Sequence, residues 1–99
     1  MSVDAPQPAG GELCRSATIT NRRGLHARAA AKFVKLAATF EAQVTVGHRG
    51  TEVSGLSIMG LMMLAAAPGC CIELKSRGAQ AEAALAALCS LIDQKFDED

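Results

Sequence analysis

Arg23-Gly24-Leu25-His26-Ala27-Arg28-Ala29 is the stretch at which the chain changes its period. Before it, residues 13–20 alternate, with Ala17 and Ile19 on one face and Ser16 and Thr18 on the other, which predicts a strand. After it, Ala30, Phe33, Val34 and Ala37 recur at helical spacing, while Arg28, Lys32 and Lys35 lie off that stripe. Alanine has the best helix propensity, so residues 27–39 should form a helix readily. Gly24 sits in the break at residues 21–24, and the turn it supplies delivers His26 to the helix N-terminus.

That placement has chemical consequences. The first N–H groups of a helix lack intrahelical acceptors and its dipole is positive there, so the position favours an anion. Arg22, Arg23, Arg28, Lys32 and Lys35 fall nearby, and no acid occurs over residues 21–40. The backbone N–H groups of Ala27 and Arg28 can hold phosphate oxygens, and the Arg28 guanidinium adds a charge-assisted contact. The dipole disfavours an imidazolium, leaving a nucleophilic ring nitrogen. Small Ala27, Ala29 and Ala30 should keep the ring approachable by another protein. The bland reading is a surface or capping histidine, and an isolated Gly-Leu-His would carry no more than that. A Ser-His-Asp triad is not indicated, since no acid lies close to His26 in sequence; distant Asp or Glu residues stay open.

Further along, Ala42, Val44 and Val46 alternate with polar residues, and Gly47-His48-Arg49-Gly50 supplies turn chemistry before residues 51–54. A hairpin follows, with His48 as a turn residue. Ser57 is suited to cap a short helix within Gly55-Leu56-Ser57-Ile58-Met59-Gly60-Leu61-Met62-Met63-Leu64. This uncharged run falls short of the ~20 apolar residues a membrane span needs, so no membrane insertion is expected. Its apolar side chains cannot all point inward from one short helix. Met59 and Met62, three apart, are expected to share an exposed face that docks partners. Pro68-Gly69 turns the chain into a strand carrying Ile72 and Leu74, and Ala81, Ala84, Leu85, Leu88, Leu91 and Ile92 mark a final amphipathic helix. The closing acids Asp97, Glu98 and Asp99 oppose the dipole at a helix C-terminus and should fray. The order is β-α-β-β-α-β-α, an α+β arrangement whose economical packing is one sheet with helices against one face.

Ninety-nine residues allow one domain, expected at residues 13–99 behind a flexible tail, residues 1–12, that contains Pro6, Pro8, Gly10 and Gly11. Ten basic and ten acidic residues cancel, so the chain lacks the uncompensated basic surface that nucleic acid requires. The charge is unevenly spread: residues 21–40 are cationic and residues 93–99 acidic on balance, so the field near His26 should draw anions or acidic partners. Cys14, Cys70, Cys71 and Cys89 have no CxxC spacing, and no secretory signal is read at the start. They read as buried, reduced thiols in the cytoplasm, with neither metal nor other cofactor expected.

Two motifs, in order and spacing, carry a family resemblance. Gly24-Leu25-His26-Ala27-Arg28 resembles the phosphohistidine site of HPr, the histidine-containing phosphocarrier of the bacterial phosphoenolpyruvate-dependent phosphotransferase system. Ser57-Ile58-Met59-Gly60-Leu61-Met62 resembles that family's regulatory serine region. The resemblance covers residues 13–95. It implies an open-faced β-sandwich, with a four-stranded antiparallel sheet and three helices on one side. It also implies that His26 accepts a phosphoryl group from enzyme I, at Nδ1, and passes it to a histidine of an EIIA-type protein. The protein would act as a monomer with no complete active site of its own, in sugar uptake or a regulatory branch. Ser57 would be a substrate of HPr kinase/phosphorylase, although Leu56 stands where many serine-regulated members carry a basic residue. Ala29 replaces the proline that many members place after the arginine, a first-turn position that alanine also occupies without cost to the helix. The docking face implied by the apolar run includes Ile58 with Met59 and Met62. Two other classes compete: a small thiol- or metal-binding module using Cys70-Cys71 and His48, and an adaptor that is never phosphorylated.

Overall fold

Alternating burial sets the sheet. The computed structural model describes residues 12–98; residues 1–11 of the expected tail, and Asp99, lie outside the described residues. In chain order the elements are β1 (Leu13–Thr18), α1 (Ala27–Ala37), β2 (Gln43–His48), β3 (Thr51–Ser54), α2 (Ile58–Met63), β4 (Cys71–Arg77) and α3 (Ala81–Asp93). In β4, Ile72, Leu74 and Ser76 are buried, while Cys71, Glu73 and Arg77 face out, the period of two that a sheet covered on one side imposes. The strands form one antiparallel sheet in the order β1-β4-β2-β3, with Ala17 opposite Ile72 and Val46 opposite Leu74. The open-faced α+β sandwich expected from the sequence is therefore the fold.

Helix α3 lies across β1 and β4, α2 contacts β3, and α1 packs against both other helices. Phe33, Ile19, Leu61, Ile72, Leu74, Leu85, Leu88 and Ile92 fill the space between the layers and are fully buried. At ~1.5–3 kcal/mol for each large side chain removed from water, this cluster dominates the favourable side of folding. No helix among the described residues is long and apolar enough to cross a membrane.

Three local expectations need correction. His48 is not in the turn: it ends β2 opposite Thr51, and its Nδ1 lies 3.2 Å from the carbonyl oxygen of Cys71. The turn is Arg49-Gly50 alone, both with positive φ (53° and 84°), as a two-residue hairpin demands to match strand twist. The cysteines are not buried: Cys14 and Cys71 are exposed, and Cys70 and Cys89 are partly covered. Cys14 and Cys71 fall on the outward phase of their strands, which hydrophobicity alone does not reveal. Finally, the acidic end does not simply fray. After α3 the chain reverses through Lys95, Phe96 and Asp97, all left-handed (φ 57°, 55° and 60°), and Phe96 is driven into the core with no exposed surface.

Candidate phosphoryl-transfer site

Gly24 makes the site possible. Its φ is +65°, and a Cβ there would stand 2.4 Å from the Ala66 carbonyl oxygen, so only glycine lets the chain pass. The turn closes with Gly24 N–H on the Asn21 carbonyl (3.2 Å) and Leu25 N–H on the Ala66 carbonyl (3.0 Å). The next residue, His26, becomes the N-cap of α1 in extended conformation, and its carbonyl accepts the first helical bond from Ala30 N–H (2.9 Å).

The ring is held at both nitrogens. Nδ1 accepts from the backbone N–H of Arg28 at 3.3 Å, and Nε2 lies 2.5 Å from Oε2 of Glu98. The His26 side chain keeps 18 % of its surface exposed and that of Glu98 15 %. The expected open imidazole is thus covered along its Nε2 edge by an acid 72 residues away in sequence. Sequence reading missed this partner. The one signal that pointed to it was Phe96, an apolar residue beyond the helix that had to be buried somewhere and would carry its neighbours with it.

Glu98 is itself oriented. Its Oε1 accepts from Asn21 Nδ2 (3.1 Å), and the same amide donates to the Gly24 carbonyl (2.8 Å) from a fully buried position. Lys32 Nζ donates to the Phe96 carbonyl at 2.7 Å, tying α1 to the terminal turn. Desolvation pushes the Glu98 carboxyl up, but hydrogen bonds from Asn21 and His26 and the charges of His26 and Lys32 outweigh it. The group lies below its ordinary range as a result.

A depression of about 380 Å³ opens at Glu98, the partner of the ring's Nε2, and is lined by Arg22, Arg23, Arg28, Lys32, Asp97 and Glu98. Four cations around two carboxylates make a surface suited to a transferring phosphoryl group. Ala27 and Arg28 are exposed in the first turn. Ala29 and Ala30 are buried in the core, so of the three alanines only Ala27 is exposed. Lys35 is exposed in the last turn of α1, away from this depression.

Ser57 caps α2, its Oγ accepting from Gly60 N–H at 2.9 Å. Around it Leu56, Ile58, Met59, Met62 and Met63 are exposed, with Leu61 and Leu64 buried. Met59 (70 %) and Met62 (40 %) do face solvent, and Met63, at 77 %, is the most exposed of the group. On the open face of the sheet, a separate depression of about 620 Å³ runs past His48, Glu52, Cys71 and Glu73. Among the described residues no three His, Cys, Asp or Glu side chains are grouped to hold a metal ion.

The chain is thus an antiparallel open sandwich that presents His26 at a helix N-terminus, with a cation-lined depression at Glu98, the partner of its Nε2. Residues 13–94 match the family model described as "PTS HPr component phosphorylation site", and the chain belongs to the HPr family of the phosphotransferase system. It is 46 % identical to the phosphocarrier protein NPr of Shewanella violacea, over 88 % of this chain and 96 % of that one. Identity to the phosphocarrier protein HPr of Neisseria meningitidis serogroup A is 49 %, over 87 % of this chain and 97 % of the relative. The crystal structure of HPr-C-His from Thermoanaerobacter tengcongensis superposes with a TM-score of 0.84 at 39 % identity, covering 88 % and 98 % of the two chains.

Proposed function

We propose that His26 is the phosphoryl-accepting residue, taking the group from enzyme I and passing it to the histidine of an EIIA-type protein. The observation that carries this reading is the ring at the α1 N-terminus, with Nδ1 accepting from Arg28 N–H and Nε2 on Glu98, which lines one depression together with Arg22, Arg23, Arg28 and Lys32. The Nδ1 lone pair attacks phosphorus. A P–N bond forms as the bond to the donor breaks, and the electron pair leaves with the donor. Arg28 N–H, released from Nδ1, then faces a phosphoryl oxygen together with Ala27 N–H, and the Arg28 guanidinium offsets its charge. Transfer to the acceptor is the reverse attack. One chain holds every group this requires, which supports action as a monomer, in the cytoplasm where such partners work.

The exposed Ile58, Met59 and Met62 side chains give flexible apolar contact to unlike partners. Ser57 is a site for HPr kinase/phosphorylase: its oxygen already accepts from Gly60 N–H, a bond that phosphate oxygens can keep, so α2 stays folded while a dianion enters the docking face. Relatives bearing both the HPr and NPr names fit service in a sugar-uptake or a regulatory branch. The test is to mix the protein with enzyme I and labelled phosphoenolpyruvate. An acid-labile, base-stable label that disappears in His26→Ala supports the reading; label retained in that variant overturns it.

A further inference from the structure

The terminal turn does more than cover the ring. Glu98 meets His26 on the nitrogen opposite the one that reacts, and both its carboxylate oxygens are bonded: Oε1 accepts from the buried Asn21 amide and Oε2 meets Nε2. Its backbone is fixed in turn. Glu98 N–H donates to the Lys95 carbonyl and Asp97 N–H to the Gln94 carbonyl, both at 2.9 Å, and the Phe96 ring between them is buried. A carboxylate accepts only, so the nitrogen it faces must carry the proton. The backbone N–H of Arg28 donates only, so Nδ1 must present its lone pair. The two contacts, one from the first turn of α1 and one from the turn after α3, demand the same tautomer.

We infer that Glu98 is a positioning residue for phosphoryl transfer, holding His26 as the Nε2–H tautomer, so that Nδ1 keeps the lone pair that attacks phosphorus once Arg28 N–H releases it. This rests on the phosphocarrier reading. When Nδ1 takes the phosphoryl group and Nε2 keeps its proton, the ring becomes cationic. The carboxylate 2.5 Å away then compensates that charge with no proton transferred to it. Asn21 serves as the fixed support, placing the acid as the acid places the imidazole.

The tautomer is read directly from the ring 15N shifts of His26, at a pH where the ring is neutral and with no donor protein present. The wild type should show a single Nε2–H form. Glu98→Ala should show a mixture of both tautomers, and Glu98→Gln, whose carbonyl can still accept, should restore part of the wild-type signature. Phosphorylation by enzyme I should slow about tenfold in Glu98→Ala, equivalent to about 1.4 kcal/mol, with KM for enzyme I changed by less than about twofold. An unchanged tautomer in Glu98→Ala overturns the inference and leaves Arg28 N–H as the sole determinant. A rise in KM with kcat unchanged also overturns it, since the acid would then act in docking. The 15N measurement needs no phosphate, so it can fail while His26 still takes label. Loss of the carrier reading would show instead as unlabelled wild type.

Discussion

Gly24 and Ala66 approach so closely that a methyl group on the glycine would lie 2.4 Å from the alanine carbonyl oxygen. That oxygen is already occupied by Leu25 N–H, so the loop after α2 and the turn before α1 are locked together. The histidine that follows takes its position from this crossing. Gly24→Ala combines a left-handed φ with a steric clash against backbone, and should cost on the order of 1–3 kcal/mol. Chemical denaturation measures it. The His26 resonances should also move, because the turn cannot open without displacing the cap.

Phe96→Ala should cost about 3–5 kcal/mol, the loss expected for a fully buried ring. Exchange of the Lys95–Glu98 amides should rise more than that of β4. The His26 signature should approach that of Glu98→Ala, because the acid loses its anchor.

Acid should release the terminal turn. The Glu98 carboxyl is lower in the folded protein than its usual value of 4.5, so the unfolded chain binds this proton first as pH falls. Stability from its contacts is fully present above about pH 4.5 and is lost as pH drops through the lowered folded value. The side-chain carboxyl carbon of Glu98, followed by NMR, should titrate with a midpoint below 4.5, and the Asn21 amide signals should follow it. A midpoint above that value would contradict the bonding described.

Arg28→Ala should leave folding nearly intact, since the side chain is exposed. Loss of a charge-assisted contact of about 1.5–3 kcal/mol should slow transfer from enzyme I by on the order of 10–100-fold. Raised salt should weaken association of the wild type more than of the variant, because Arg28 is part of the cationic rim.

Met59→Asp with Met62→Asp places charges on side chains that are 70 % and 40 % exposed. Denaturation midpoints should shift little, while KM for both donor and acceptor proteins rises. Transfer kinetics identical to wild type would remove this face from the docking account.

Much of this molecule was legible in local pattern. A period of two in residues 13–18 and 71–77, a period near 3.6 from Ala27, and glycine at Gly24 and Gly50 follow from what each backbone can adopt and bury. His26 at a helix start, with cations about it, was readable for the same reason: N-cap position and charge spacing are properties of a few adjacent residues. Which face each cysteine takes was harder, since a small, weakly polar thiol fits either side of a sheet. His48 shows a similar limit, because two flanking glycines resemble a turn even when only Arg49-Gly50 makes it.

The sequence by itself determined the order of elements, the sheet-and-helix class, the turn that presents the histidine and the cationic character of its surroundings. Tertiary structure alone decided what sits on the far side of the ring. Local propensity predicts that acids after a helix C-terminus loosen, because the dipole repels them. Burial of Phe96 outweighs that repulsion, and Asn21 and His26 lie 77 and 72 residues from the acid they receive. Contacts at such separation depend on how the layers pack, and no window along the chain contains them.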